Sequence, residues 1–115
     1  QNQRGELVEP TAESISAAAS GVIPADTRTS ITNADAAGAY PIATFTWVII
    51  YKEQNYSDRS KEQATATLDL LQYILSDEAQ KITSEVHYAP LPAQAKELSL
   101  KNLKTVTYDG VTILQ

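Results

Sequence analysis

Few side chains in this sequence have the types and spacing that catalysis requires. His87 is the single histidine, and no nucleophile or acid lies at a spacing diagnostic of a general base. Asp77 and Glu78 are adjacent, but carboxylates at the start of a helix more commonly interact with its dipole. A hydrolase built on these three residues is the weakest functional hypothesis, and we predict that the chain is not an enzyme.

Hydroxyl side chains suggest a second chemistry, the binding of an anion by neutral donors. They cluster in one part of the chain, at Thr27, Thr29, Ser30, Thr32, Thr44 and Thr46. Threonine also suits strands, so this pattern does not by itself indicate a site. Glycine-rich phosphate loops are absent. Helices that begin near Thr11 and Ser76 would offer free N–H groups to an anion, as every helix does.

Composition excludes several other classes of site. The chain has no cysteine, so disulfides and thiolate metal sites are excluded, and one histidine cannot form a multi-histidine metal site. The net charge of −5, from 9 basic and 14 acidic residues, disfavours nucleic acid as a partner. We expect no cofactor. Methionine is absent even at position 1, which predicts a mature product or a piece of something longer.

The elements that would position any site follow in a mixed α/β order over 115 residues, the length of one small domain. Patterns of caps, apolar spacing and turn residues predict these elements. They are a helix at about 11–20, a short strand at 28–32, a strand at 44–51, helices at 58–75, 76–86 and 92–103, and a hairpin at 104–114. The hairpin is predicted from Asp109-Gly110, a strong signal for a two-residue turn.

The apolar block FTWVIIY, residues 45–51, is the most informative stretch. All seven positions hold aromatic or β-branched residues, which favour strands, and no alternation of polar and apolar residues is present. Such a run is typical of a strand buried on both faces between helices. A central strand needs neighbours on both edges, and the remaining strand candidates are too few. This shortage predicts that part of the fold lies outside the chain.

Three strings carry a resemblance to a known family. VEPTAESISAAA (residues 8–19), IPADTRTSITNADAAGAYPIATFTWVIIYKEQ (residues 23–54) and YAPLP (residues 88–92) resemble the C-terminal portion of the phosphate-binding proteins of bacterial ABC transporters. The order of the strings also matches, and the similarity extends from about Val8 to Leu103. The terminal stretch TVTYDGVTILQ departs from the family in detail.

The resemblance implies part of a type II periplasmic-binding-protein fold, with two lobes that close on phosphate. Residues 1–40 would be the tail of one lobe and residues 41–115 a segment of the other, with the strand at 44–51 inside its sheet. Hinge and cleft candidates are Tyr40, Pro41, Ile42 and Thr44. The family's phosphate ligands include an arginine followed by a Ser-Gly-Thr string, which is missing here, so no phosphate ligand is predicted in this chain.

Two functional hypotheses remain. In the first, the chain is a segment of an extracytoplasmic phosphate-binding protein that captures inorganic phosphate for import. Its partners would be the transporter permease and a missing N-terminal portion, in the periplasm or anchored at the cell surface. In the second, it is a stand-alone extracytoplasmic interaction domain that pairs through an open sheet edge, as a homodimer or by a domain swap.

Overall fold

Helices make up most of the regular structure, which we describe from a computed structural model of residues 1–115. The helices are α1 (Ala12–Ala18), α2 (Lys61–Ile74), α3 (Asp77–Glu85) and α4 (Ala93–Leu103), and α2 packs against both α3 and α4. Two short strands, β1 (Thr107–Tyr108) and β2 (Val111–Thr112), follow α4. None of the helices is both long enough and apolar enough to span a membrane.

Helix starts follow from local side-chain chemistry at Thr11 and Ser76, where the sequence predicted them, and at Ser60. Each of these hydroxyls accepts a hydrogen bond from the N–H group three residues later, which satisfies one of the free donors of the first turn. At α1 and α2 the third helical residue returns a bond to the cap, which completes a capping box. The predicted restart of the helix at Ser76 is confirmed.

The hairpin also forms where the sequence predicted it. Tyr108 pairs with Val111 and Thr107 with Thr112, in antiparallel register. Asp109 and Gly110 lie between the strands with φ of 51° and 73°, the two left-handed conformations of a type I′ turn. The strands are only two residues long, so the pairing is shorter than the predicted range of 104–114.

Two small cores are separated along the chain. The N-terminal unit (residues 1–43) is built on five buried residues, listed here: Ala18, Ala19, Ile31, Ala39 and Ala43. The C-terminal unit (residues 52–115) is built on Leu68, Leu103 and Val106. The radius of gyration of 16.6 Å exceeds the about 13 Å expected of a compact domain of this length, so the chain is elongated.

The two strands predicted before α2 do not form, and these predictions were wrong for the chain alone. Residues 28–32 and 44–51 have no ladder of backbone hydrogen bonds. The predicted layer of helices on a mostly buried sheet is also absent, since the sheet has two strands and β2 is exposed. The physical reason is that no other segment of the chain supplies neighbours for residues 44–51, which we call the connecting segment.

The turn after α3 is fixed by one buried side chain, Gln80. Its amide nitrogen donates to the carbonyl of Ile74 at 2.9 Å, and its amide oxygen accepts from the N–H of Leu91 at 2.7 Å. Both halves of the amide are therefore satisfied, as a buried polar group requires. Gln80 thus ties the end of α2 to the Tyr-Ala-Pro-Leu-Pro stretch that precedes α4.

Candidate functional site

The predicted hinge residues Tyr40 and Pro41 are held firmly in the N-terminal unit. The N–H of Tyr40 donates to the carbonyl of Ser14, in α1, at 2.9 Å, and the carbonyl of Pro41 accepts from the N–H of Asn33 at 2.8 Å. Ala39, immediately before them, is fully buried. Backbone bonds to two different parts of the unit therefore fix the path of the chain here.

Ile42 and Thr44, the other two candidates, lie at the surface. Ile42 is 73% exposed although it is apolar. Between them, buried Ala43 accepts a hydrogen bond of 3.0 Å from the Thr32 hydroxyl, and the Thr44 hydroxyl contacts the carbonyl of Phe45 at 3.3 Å. Residues 40–44 are thus hydrogen-bonded on their inner side and present Ile42 outward.

A clasp formed by Asn2 and Glu6 ties the start of the chain to Gly38 and Ala39. The Asn2 amide is buried and donates to the Glu6 carboxylate at 2.7 Å and to the carbonyl of Ala39 at 3.3 Å. The same carboxylate accepts from the N–H of Gly38 at 2.8 Å. The Asn2 bond first, and then the Gly38 bond, lower the pKa of Glu6 below its usual value, so Glu6 stays ionised.

The connecting segment leaves the N-terminal unit with its backbone donors unused. None of the N–H groups of residues 44–51 donates a hydrogen bond within the chain. The rings of Phe45 and Trp47 pack edge to face with their centroids 6.1 Å apart. The Trp47 indole N–H donates to the carbonyl of Thr27 at 3.2 Å. Beyond them, Ile49 is 92% exposed. The most β-prone stretch of the chain is therefore unpaired, and only Phe45 and Ile50, near its two ends, pack against the two cores.

Glu53 fixes the other end of the connecting segment to the hairpin. Its carboxylate accepts from the N–H groups of Asn55 at 2.9 Å, Asp109 at 3.0 Å and Gly110 at 3.1 Å, and from the Thr107 hydroxyl at 2.8 Å. These bonds lower the pKa of Glu53 to about 2, and the bond from the Asn55 N–H group has the largest effect. No spacing or motif in the sequence pointed to Glu53, because its partners lie up to 57 residues away.

Backbone pairing reinforces this junction. The N–H of Thr107 donates to the carbonyl of Lys52, and the N–H of Gln54 donates to the carbonyl of Thr107, both at 2.8 Å. The two bonds form a parallel bridge between Glu53 and Thr107. Gln54 is itself buried, and its side-chain amide donates to the carbonyl of Tyr51. β1 therefore lies beside the end of the connecting segment as a neighbouring strand would.

The residues considered for catalysis do not form a site. Asp77 pairs with Lys96, which lowers the pKa of the Asp77 carboxyl, and Glu78 is exposed at the start of α3. His87 is exposed after the end of α3, and its ring makes no hydrogen bond. No group of three or more His, Asp or Glu side chains could hold a metal ion. Asp77, Glu78 and His87 therefore do not act together as a catalytic group.

The hydroxyl cluster and a cavity beside it offer little to an anion. The hydroxyls of Thr27 and Thr32, like that of Thr44, donate to main-chain carbonyls. A cavity of about 250 Å³ in the N-terminal unit is lined mainly by small apolar residues, with Thr29, Ser30 and the acidic Asp35 among them. Neither Lys nor Arg lines it, so the cavity lacks the positive charge that would favour phosphate.

Comparison with known proteins shows that the chain is similar to part of several phosphate-binding proteins. It is 37% and 36% identical over 95 residues to the phosphate-binding proteins of two strains of Xylella fastidiosa, and these alignments cover 80% of the chain. It is 29% identical over 115 residues to that of Methanocaldococcus jannaschii. All three relatives are PstS proteins, and the matches confirm the predicted resemblance: the chain is similar to a portion of each of these phosphate-binding proteins.

The chain spans only about a quarter of the length of the relatives it matches. The alignments cover 25% of each Xylella fastidiosa protein and 30% of the Methanocaldococcus jannaschii protein. No protein-family profile and no solved structure matches the chain.

Proposed function

We propose that the chain is a segment of an extracytoplasmic phosphate-binding protein that captures inorganic phosphate for import by an ABC transporter. The observation that carries the proposal is the similarity to PstS proteins over most of the chain. In this role the chain is not an enzyme, and the complete protein meets the transporter permease. The chain supplies the lobe crossing and part of the lobe structure, and the phosphate ligands lie elsewhere in the longer protein.

The distribution of charge supports the second half of this proposal. The salt bridges of the chain are Arg4 with Asp35, Arg28 with Asp26, and Lys96 with Asp77. Each pairs one cation with one carboxylate. Arg59 forms no salt bridge, and its guanidinium carbon lies 5.7 Å from the centre of the Tyr56 ring. Each of the three arginines is therefore engaged by a neighbouring side chain, which supports phosphate ligands in other parts of the longer protein.

The anchored backbone at Tyr40 and Pro41 supports a division of the complete protein into two lobes that meet near these residues. We place the tail of one lobe at residues 1–40 and a segment of the other at residues 41–115, in a type II periplasmic-binding-protein arrangement. Tyr40 and Pro41 are anchored to the N-terminal unit by backbone bonds. If the lobes rotate relative to each other, Tyr40 and Pro41 would move with the N-terminal unit. The backbone would then bend after Ala43.

Titration calorimetry with inorganic phosphate tests the proposal on two proteins. The first is the chain alone, and the second is a chimera in which the chain replaces its matching residues in the Xylella fastidiosa relative. We expect saturable binding by the chimera and none by the chain, with sulfate as the control anion. A folded chimera that does not bind phosphate would contradict the proposed role. Saturable binding by the chain alone would show that it contains ligands.

The open backbone of the connecting segment favours one alternative, a stand-alone interaction domain. Unpaired N–H and C=O groups on a β-prone segment promote pairing with another chain. Such a domain would form a homodimer or a swapped dimer. Analytical ultracentrifugation of the chain at increasing concentration distinguishes the two functions, because a saturable dimer favours the interaction domain and a monomer favours the phosphate-binding segment.

A further inference from the structure

We propose that Asn55 and the terminal hairpin form a carboxylate-binding site, and that the side chain of Glu53 is its resident ligand. When the Glu53 side chain does not fill the site, a small monovalent carboxylate such as acetate takes its place. The inference goes beyond the proposed function and does not depend on it, because it concerns a different anion and residues that the chain itself contains.

The donors of this site match both oxygens of one carboxylate. Oε1 of Glu53 accepts from the N–H groups of Asn55 at 2.9 Å and Asp109 at 3.0 Å. Oε2 accepts from the Thr107 hydroxyl at 2.8 Å and from the N–H of Gly110 at 3.1 Å. An ionised carboxylate offers about four lone-pair positions, two on each oxygen. The four donors therefore supply one hydrogen bond for each position.

The backbone positions these donors by contacts that do not involve the Glu53 carboxylate. Asp109 and Gly110 have φ of 51° and 73°, and consecutive N–H groups in a turn form a concave site for an anion. Thr107 is fixed by two backbone bonds of 2.8 Å, from its N–H to the carbonyl of Lys52 and from the N–H of Gln54 to its carbonyl. We therefore expect the site to persist when the carboxylate is removed.

The charges around the site favour an anion with a single negative charge. All four donors are neutral, and Glu53 forms no salt bridge. The carboxylate of Asp109 lies beside the site, where it accepts a hydrogen bond from the side-chain amide of Asn55. A second negative charge on the ligand would be repelled by this carboxylate. Acetate should therefore bind more tightly than the phosphate dianion.

The position of Glu53 explains why the site is filled from within the chain. Its carboxylate is linked to the backbone only two residues from Asn55, so its effective concentration at the donors is high. The donors Asn55, Asp109 and Gly110 are nevertheless exposed at the surface. A carboxylate from solution can therefore reach them once the resident ligand is gone.

The variant Glu53→Ala creates the vacancy that tests the inference, because it removes the carboxylate and one methylene, the heavy-atom framework of acetate. We expect acetate to shift the amide NMR signals of Asn55, Asp109 and Gly110 saturably. The Kd should be roughly 10–100 mM, since exposed donors also bond to water. Sodium chloride at equal ionic strength is the control for salt, and sodium phosphate is the comparison anion.

Glu53→Gln is the matched control variant, because its side chain still fills the site. Acetate should produce no saturable shifts in this variant or in the wild type. The absence of saturable shifts in a folded Glu53→Ala chain would overturn the inference. Equal shifts in Glu53→Ala and Glu53→Gln would also overturn it, because acetate would then bind elsewhere. Tighter binding of phosphate than of acetate would contradict the assignment to a carboxylate.

A stability measurement keeps the test decisive when Glu53→Ala is poorly folded. A ligand that binds only the folded chain raises the ratio of folded to unfolded molecules, by about 10-fold at a concentration ten times its Kd. Acetate should therefore raise the urea midpoint of Glu53→Ala, or refold it, more than sodium chloride does at equal ionic strength. Equal effects of the two salts would overturn the inference, whether or not the variant is folded beforehand.

Discussion

Glu53 and Thr107, 54 residues apart, are joined twice: by a side-chain hydrogen bond of 2.8 Å and by a parallel backbone bridge. The same carboxylate also accepts the N–H groups of the Asp109-Gly110 turn. One side chain therefore satisfies donors of the turn and holds β1 against the end of the connecting segment. The hairpin is short, and this contact gives it a fixed position relative to residues 52–54.

Replacing Glu53 with Gln should destabilise the chain and reduce its sensitivity to acid. The pKa of Glu53 is lowered from 4.5 to about 2, so its ionised form is stabilised by folding. The contribution is complete above about pH 4.5 and is lost as the pH falls toward 2. Urea unfolding at pH 7 and at pH 2.5 should show a smaller difference for Glu53→Gln than for the wild type.

Glu97→Gln is the matched control, because Glu97 is exposed on α4 and forms no salt bridge. It should retain the wild-type pH dependence. Equal behaviour of the two variants would contradict the role given to Glu53.

Replacing Leu68 with Ala should lower the free energy of unfolding by about 2–5 kcal/mol. Leu68 is fully buried on α2, among Leu103 and Val106. The substitution removes apolar contact and leaves a cavity. Leu70→Ala is the control on the same helix, where the side chain is 57% exposed, and it should change the free energy of unfolding by about 0.5 kcal/mol or less. Similar losses in both variants would show that α2 does not pack as described.

Replacing His87 with Gly should stabilise α3 by about 1 kcal/mol. His87 has φ of 62°, and the N–H of Tyr88 donates to the carbonyl of Thr83 at 2.8 Å, the bond of a Schellman motif. Glycine adopts this left-handed conformation without the steric cost of a Cβ. The melting temperature should rise for His87→Gly and remain near that of the wild type for His87→Ala, which keeps the Cβ. A rise in both variants would contradict the strain argument.

Replacing Asn2 with Ala should release the clasp at a cost of about 1–3 kcal/mol. The substitution leaves the Glu6 carboxylate and the carbonyl of Ala39 without the Asn2 donor. Limited proteolysis should then cleave the first residues faster, and unfolding should occur at lower urea. Gln3→Ala, at an exposed neighbouring position, is the control and should behave like the wild type.

Local chemistry explains what the sequence predicted correctly. The starts of α1, α2 and α3 each depend on one hydroxyl and the N–H group three residues later. The Asp109-Gly110 turn depends on two residues that tolerate positive φ. These signals act over a few residues, so they operate whatever the rest of the chain does. The resemblance to phosphate-binding proteins likewise depended on short contiguous stretches of sequence.

The conformation and exposure of residues 44–51 could not be predicted from local signals. Their composition favours a strand buried on both faces, and the chain leaves them unpaired, with Val48, Ile49 and Tyr51 largely exposed. Strand formation depends on hydrogen bonds from a neighbour that is distant in sequence or outside it. The composition therefore describes an environment that the chain alone does not provide.

By itself, the sequence determined where helices begin, where the hairpin turns and which protein family the chain resembles. Only the tertiary structure decided that Tyr40 and Pro41 are anchored, that Glu53 holds the hairpin, and that Asn2 closes the N-terminal unit. Caps and turns bond residues that are close in sequence. Glu53 and Thr107, or Asn2 and Ala39, meet only when packing brings distant segments together, and no spacing in the sequence records that meeting.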